Sequence, residues 1–296
     1  MTRKAEEENA PDVETTGHDW DGIQELNTPL PRWWLWTFYI TIVWGILYTI
    51  AYPAWPLITQ ATPGLLGYST RAEVAAEIAE VEAQNAALTA ELETIALADV
   101  SGNDSLQDYA VKWGASLFAT NCSQCHGRGA AGVQASGYPN LLDDAWLWGG
   151  TLDDIAFTVA HGIRNEQSPD TRWSEMPAFR DILEDQDVTS VVHYVRNISG
   201  QEHDAALAAI GETVFIDNCA ACHGDGGEGM RDLGAPNLTD AIWLYGGSVE
   251  KLTETVLNAR FGVMPAWSED YRGASGLTQA EIKAVTLYVH QLGGGE

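Results

Sequence analysis

Cys122-Ser123-Gln124-Cys125-His126 recurs 97 positions later as Cys219-Ala220-Ala221-Cys222-His223, and the two copies hold all four cysteines of the chain. A C-x-x-C pair alone suits a redox dithiol, half a zinc site or a disulfide. The histidine that follows changes the reading. Two thiols so spaced reach the two vinyl groups along one porphyrin edge, and the next residue lies beneath the iron as proximal ligand. The repeated motif therefore points to two covalently attached c-type haems. Thioether bonds are expected at Cys122, Cys125, Cys219 and Cys222, with His126 and His223 as iron ligands. No thiol remains for a disulfide framework.

The surroundings of the motif repeat with it. Leu117-Phe118-Ala119-Thr120-Asn121 precedes the first copy and Val214-Phe215-Ile216-Asp217-Asn218 the second. Pro139-Asn140-Leu141 returns as Pro236-Asn237-Leu238, and Trp146-Leu147-Trp148-Gly149-Gly150 as Trp243-Leu244-Tyr245-Gly246-Gly247. Met176-Pro177-Ala178-Phe179 returns as Met264-Pro265-Ala266-Trp267, with nine more residues ahead of it in the first copy. Helical runs, Val188 to Ile198 and Ala280 to Leu292, close the two copies. This order resembles the small all-α class I cytochrome c fold, twice over, in domains at residues 108–200 and 204–296. In that fold the first and last helices cross closely. Gly114 with Phe118, Gly211 with Phe215, and Tyr194 and Tyr288 suit such a crossing.

An electron-transfer haem takes a second axial ligand, and a thioether there raises the potential. Met176 and Met264 sit at equivalent positions, whereas Met230 aligns with Val133 and reads as a loop residue. The expected sixth ligands are Met176 and Met264. The simplest pairing sets Met176 opposite His126 and Met264 opposite His223; the repeat also admits an exchange between lobes. His161, His193, His203 and His290 read as packing or surface residues. Arg164 and Arg260, just ahead of the Met-Pro loops, are either propionate partners or solvated loop charges. Two six-coordinate irons leave no position for a substrate, so the chain is expected to move electrons and to have no catalytic centre of its own.

Ahead of the repeats, Trp33 to Ala51 runs without a charge, long enough to cross a bilayer as a helix. Trp33, Trp34 and Trp36 crowd one end and Tyr48, Tyr52 and Trp55 the other, the aromatic-belt pattern. Pro53 and Pro56 end the helix, so the anchor covers residues 33–56. Residues 1–32, polar and acidic with Pro11, Pro29 and Pro31, read as a mostly irregular arm. A leading arm of that length separates the span from a cleavable signal peptide. Arg3, Lys4 and Arg32 precede the span, while residues 53–70 hold no Lys or Arg. The N-terminus is therefore expected in the cytoplasm, and the haem domains on the periplasmic face of a bacterial inner membrane. No second apolar segment of spanning length follows.

Residues 71–98 read as an amphipathic helix. Val74, Ile78, Val81, Asn85, Leu88, Leu92 and Ile95 form its heptad-like seam, either docking on a partner subunit or packing along the chain's own domains. The net charge of −27 excludes a nucleic-acid footprint. An acidic surface of this kind suits attraction of a basic soluble partner as well as plain solubility.

The stretch Trp20-Asp21-Gly22-Ile23-Gln24-Glu25-Leu26-Asn27-Thr28-Pro29-Leu30-Pro31-Arg32-Trp33-Trp34 leads into the span, which exits through Tyr52-Pro53-Ala54-Trp55-Pro56. This arrangement resembles the dihaem subunit of cbb3-type cytochrome c oxidase. The ending Tyr288-Val289-His290-Gln291-Leu292-Gly293-Gly294-Gly295-Glu296 is similar to that family as well. The resemblance implies a subunit that receives electrons from soluble or membrane-bound cytochrome c and passes them to a monohaem subunit. The haem–copper subunit beyond it reduces oxygen and pumps protons. Rival readings are an independent membrane-anchored dihaem carrier and a dihaem peroxidase. The peroxidase needs an exchangeable ligand, against which two intact Met-Pro loops argue.

Overall fold

The computed structural model describes residues 13–240 and 242–296. The chain divides into two compact units, Met1–Ala83 and Gln84–Glu296. In the first, Thr15–Trp20 (β1) and Ile23–Leu26 (β2) pair antiparallel across Asp21-Gly22. Both turn residues are left-handed, φ 53° and 88°, the geometry of the primed hairpin turns that Asp-Gly favours. The Gly22 amide donates to Asp19 Oδ1 at 2.7 Å. The expectation of a mostly irregular arm over residues 1–32 is thus corrected for its described part, and Asp-Gly was the signal. Arg3, Lys4 and Pro11 lie outside the described residues.

Arg32–Ala51 (α1) is a 20-residue helix with no buried residue. At 1.5 Å per residue it is about 30 Å long, the thickness of a hydrocarbon core. Its threonine hydroxyls are satisfied within the helix: Thr37 donates to Trp33 O at 2.9 Å, Thr41 to Phe38 O at 2.7 Å and Thr49 to Ile46 O at 2.9 Å. Thr70–Thr94 (α2) begins in the first unit and ends in the second. Its seam divides accordingly. Val74, Ile78 and Val81 are exposed, whereas Leu88, Leu92 and Ile95 pack into the second unit's core.

The second unit continues through a 3₁₀ turn to Asp104–Leu117 (α3), whose N-terminus is capped by the Asn103 side chain accepting from the Leu106 amide at 3.2 Å. Ser123–His126 (α4), Leu152–His161 (α5), Asp185–Ile198 (α6) and Ala205–Asn218 (α7) follow. Ala220–His223 (α8), Val249–Asn258 (α9), Glu269–Arg272 (α10) and Gln279–His290 (α11) complete the order. Side chains of Thr151, Asp204, Ser248 and Thr278 cap α5, α7, α9 and α11, the last as a full capping box with Glu281.

The two sequence repeats are not the two packing units. The first helix of the first repeat, α3, packs against α11, the last helix of the second; α6, the last of the first repeat, packs against α7. The expected glycine crossings are present across these exchanged pairs. A Cβ on Gly114 would strike the Ala284 carbonyl, and one on Gly211 the Ser190 carbonyl. Phe118 lies tilted against Tyr288 with ring centroids 5.4 Å apart, and Phe215 against Tyr194 at 5.1 Å.

One lobe is therefore a continuous run from the first Met-Pro loop through α6, α7, α8 and α9, around Val191, Val192, Phe215 and Leu252. It is inserted in the other, which holds the end of α2, α3, α4, α5 and α11 around Leu92, Leu106, Phe118, Ile155 and Ile282. The cause is local. Only residues 199–204 separate α6 from α7, with Gly200 left-handed at φ 71°. Arg196 pins that link through Gln201, the Glu202 carbonyl and Gly247. Neighbouring helices on a short link fold back on each other. That leaves α3 to be closed by α11.

Candidate haem sites

Both C-x-x-C-H motifs are held in one way. His126 Nδ1 lies 3.2 Å from Pro139 O, and His223 Nδ1 lies 3.1 Å from Pro236 O. A carbonyl only accepts, so Nδ1 carries the hydrogen and the Nε2 lone pair is left for a metal. The loops between repeat this arrangement. The Gly132 amide donates to His126 O at 2.8 Å and the Gly229 amide to His223 O at 2.7 Å. Both positions require glycine: φ is left-handed, 68° and 83°, and the Tyr138 or Ala235 backbone leaves no room for a Cβ. Each Pro-Asn-Leu turn is thus the brace that sets its histidine.

Burial holds both imidazoles below the ordinary histidine range, against the opposing bond to the proline carbonyl. Burial also pushes the Cys122 and Cys219 thiols up to about 11. Thiols raised in this way are unlike the low-pKa thiol of a redox dithiol. The residues present fit covalent haem on both counts.

The Met-Pro loops are exchanged between the lobes. Met264 pairs with Ile163 as a two-bond bridge, N to O distances 3.0 and 2.9 Å, and packs in the core that contains Phe118 and Cys122. The Trp267 amide donates to Val159 O at 3.0 Å and that of Ser268 to Ala160 O at 3.3 Å, binding this loop to α5. In the other lobe the Phe179 amide donates to Val256 O at 3.0 Å and that of Arg180 to Leu257 O at 3.3 Å, binding the Met176 loop to α9. Met264 therefore belongs with the His126 lobe and the Met176 loop with the His223 lobe. This is the exchanged arrangement of the loops that the repeat also admits. Its cause is the exchange that also moves the closing helices.

Other expected residues have structural partners. His161 Nδ1 lies 3.1 Å from both Ser168 Oγ and Tyr271 Oη. His193 Nδ1 accepts from the Asp204 amide at 3.0 Å, His203 Nδ1 donates to Gln201 O at 2.9 Å, and His290 Nε2 donates to Glu296 O at 2.8 Å. Met230 lies half-exposed in the loop before Pro236. Arg164 donates to Gly262 O and Ser174 O at 2.7 and 2.8 Å, joining the two segments that cross between lobes. Arg260 lies 4.6 Å above the Tyr245 ring and pairs with Glu254 at 3.2 Å.

Sequence reasoning missed the contact between lobes. Trp148 of the first lobe lies against Gly234 of the second, and Tyr245 of the second against Gly137 of the first. Each glycine stands two residues before the proline whose carbonyl holds the histidine. The sequence signal was the repeat itself, an aromatic and a glycine each recurring after 97 positions. Arg172 was missed too. It donates to Trp148 O at 2.6 Å, pairs with Asp154 at 3.0 Å and covers the Trp148 and Phe157 rings.

Fold and sites together define a membrane-anchored dihaem c-type cytochrome. Residues 12–59 match the N-terminal domain of cytochrome oxidase-cbb3, FixP, and residues 111–199 and 208–293 match cytochrome c. A cbb3-type cytochrome c oxidase subunit CcoP of Cereibacter sphaeroides is 55% identical over the whole of both chains. The CcoP subunit of Rhodobacter capsulatus is 51% identical over 96% of this chain and 97% of its own length. The FixP subunit of Bradyrhizobium diazoefficiens is 49% identical over the whole of both. The chain belongs to this CcoP/FixP family of cbb3-type cytochrome c oxidase subunits, and its two cytochrome c domains carry two covalent haems.

Proposed function

We propose that this subunit is the electron entry of a cbb3-type oxidase. It takes electrons from a soluble or membrane-bound cytochrome c and passes them to a monohaem subunit, and thence to the haem–copper subunit that reduces oxygen. Bound haem supplies one-electron iron chemistry. Cys122 and Cys125 tether one group and Cys219 and Cys222 the other. His126 and His223 offer Nε2, held by Pro139 and Pro236. Met264 would be the second protein ligand to the iron of the first haem and Met176 to that of the second. The observation that carries this ligand set is the binding of each Met-Pro loop to the opposite repeat's short helix, Trp267 to Val159 and Phe179 to Val256. Arg32 before the span, with no charge over residues 33–70, supports a cytoplasmic N-terminus and periplasmic lobes.

The ligand exchange is testable where one haem is present. In a Cys219→Ala/Cys222→Ala background, Met264→His should lower the midpoint potential of the remaining haem strongly, and Met176→His should leave it where it was. The opposite result sinks the exchanged set. Purification in mild detergent tests the assembly: haem b and copper should accompany the chain.

A further inference from the structure

The segment after the span differs from the rest of this acidic protein. Residues 33–70 hold no Asp, Glu, Lys or Arg, where the chain's 19% charged content would place about seven. Roughly the first half of that stretch is the span; the rest, Tyr52 to Ser69, is a loop. It folds back on the helix it follows. The Leu65 amide donates to Ile50 O at 2.9 Å and the Leu66 amide to Ala51 O at 3.0 Å, filling carbonyls left open at a helix C-terminus. Gly64, left-handed at φ 72°, makes the approach possible, since a Cβ there would stand 2.5 Å from Ala51 O. Leu65 and Leu66 are thereby level with the last turn of α1, and they are 83% and 64% exposed.

The tip of the loop is closed as well. The Leu57 amide donates to Gln60 O at 2.7 Å, the Thr62 amide to Trp55 O at 2.9 Å, and Thr62 Oγ1 accepts from the Trp55 amide at 3.1 Å. Leu57 and Ile58 project from that tip, Ile58 fully exposed. Tyr52 and Tyr68, at the two ends of the segment, pack edge to face with ring centroids 5.5 Å apart, and Tyr68 Oη bonds Glu73 at 2.5 Å where charge resumes.

We infer that residues 53–68 seat in the interfacial layer of the leaflet where α1 emerges, with their apolar side chains dipping into lipid, as a second membrane contact beside the span. Leu57, Ile58, Leu65 and Leu66 are its lipid-facing groups. Lipid is favoured over a protein groove because the segment is uncharged, continues directly from the span and folds back beside its last turn, with its apolar side chains exposed. Leu65 and Leu66 also stand at the depth of a helical turn that is itself at the bilayer boundary, and aromatic residues flank the segment as at a membrane interface. The inference uses the anchor alone and is independent of the haem ligand assignment.

The test is spin-label accessibility in the assembled complex, reconstituted in phosphatidylcholine–phosphatidylglycerol vesicles. The native thiols are consumed as thioethers, so Ile58→Cys and Leu65→Cys each add one labelling position to this chain, read against unsubstituted complex. Ser105→Cys, exposed on α3, is the water-facing reference. Haem content equal to the unsubstituted chain verifies folding, and Ile58, fully exposed, can carry a label without disturbing any packing. The expected result is an oxygen-to-nickel-chelate collision ratio several-fold higher at both sites than at Ser105. A nickel accessibility like that of Ser105 would overturn the inference in favour of a solvated loop. Low collision with both reagents would overturn it in favour of a covering subunit.

Discussion

His126 and His223 depend on a carbonyl oxygen 13 residues further on, at Pro139 and Pro236. The ligands themselves were legible in the sequence because C-x-x-C-H is a local constraint. Their orientation was not, because it needs a loop to return. Glycine shows the same contrast. Gly114 and Gly211 sit where helix backbones touch, while a Cβ on Gly102 would meet nothing within 4 Å. Gly114→Ala or Gly211→Ala should therefore destabilise its own lobe by about 2–3 kcal/mol, an overpacking cost, and Gly102→Ala should be near neutral. Thermal melting followed at the haem absorbance reads this; a Gly211→Ala melt like that of wild type would contradict the crossing. Asp154 adds a pH-dependent case. Burial raises its pKa, but the Thr151 side chain and Arg172 together outweigh it and leave it below the usual carboxylate value. A depressed carboxylate stabilises the fold above its unfolded pKa, and loses that contribution as pH falls through the folded one. Asp154→Asn should thus melt lower than wild type at neutral pH, and the gap should close on acidification.

At the scale of elements, the end of α2 is clamped to α11 from both sides. Lys283, buried on α11, donates to the carbonyls of Leu92, Glu93 and Ile95 at 3.1, 2.8 and 2.7 Å. In return Glu93 Oε2 accepts from the Ala280 amide at 2.8 Å, at the N-terminus of α11. A cation thus meets the negative end of one helix and an anion the positive end of the other. Lys283→Met keeps the length but strands three carbonyls, which should cost about 2–3 kcal/mol. Hydrogen exchange should rise over residues 88–96 and stay unchanged in α7 and α9; uniform protection in the variant would show that the clamp is dispensable. The sequence showed α2 as a seam of apolar residues at heptad-like spacing. It did not show that the seam is used in two parts, because Leu88 and Val81 look alike until a core meets one of them.

For the molecule as a whole, nesting makes one lobe contiguous between the first Met-Pro loop and the end of α9. A fragment of residues 175–261 contains both of that lobe's expected iron ligands and its closing helix. Produced with the haem-attachment machinery, it should fold as a low-spin, six-coordinate monohaem cytochrome. The sequence repeat 204–296 lacks α6 and Met176 and should not match its stability. If only the 204–296 fragment holds haem in that form, the exchanged architecture is wrong.

Two haems, an uncharged span, the duplication and the Met-Pro positions follow from the sequence alone, since each rests on residues close together in the chain or on comparison of one repeat with the other. Which repeat closes on which does not. Tyr194 and Tyr288 are interchangeable in kind, as are the small residues Ser190 and Ala284 that meet the crossing glycines, so the apolar pattern fits either partner equally. The choice falls to the short link at residues 199–204, which turns α6 back onto α7, and to the paired segments at Ile163 and Met264 that cross between lobes. The link is local but the direction it imposes shows only once the helices pack, and the Ile163–Met264 pairing is long-range, so only the folded chain brings them together.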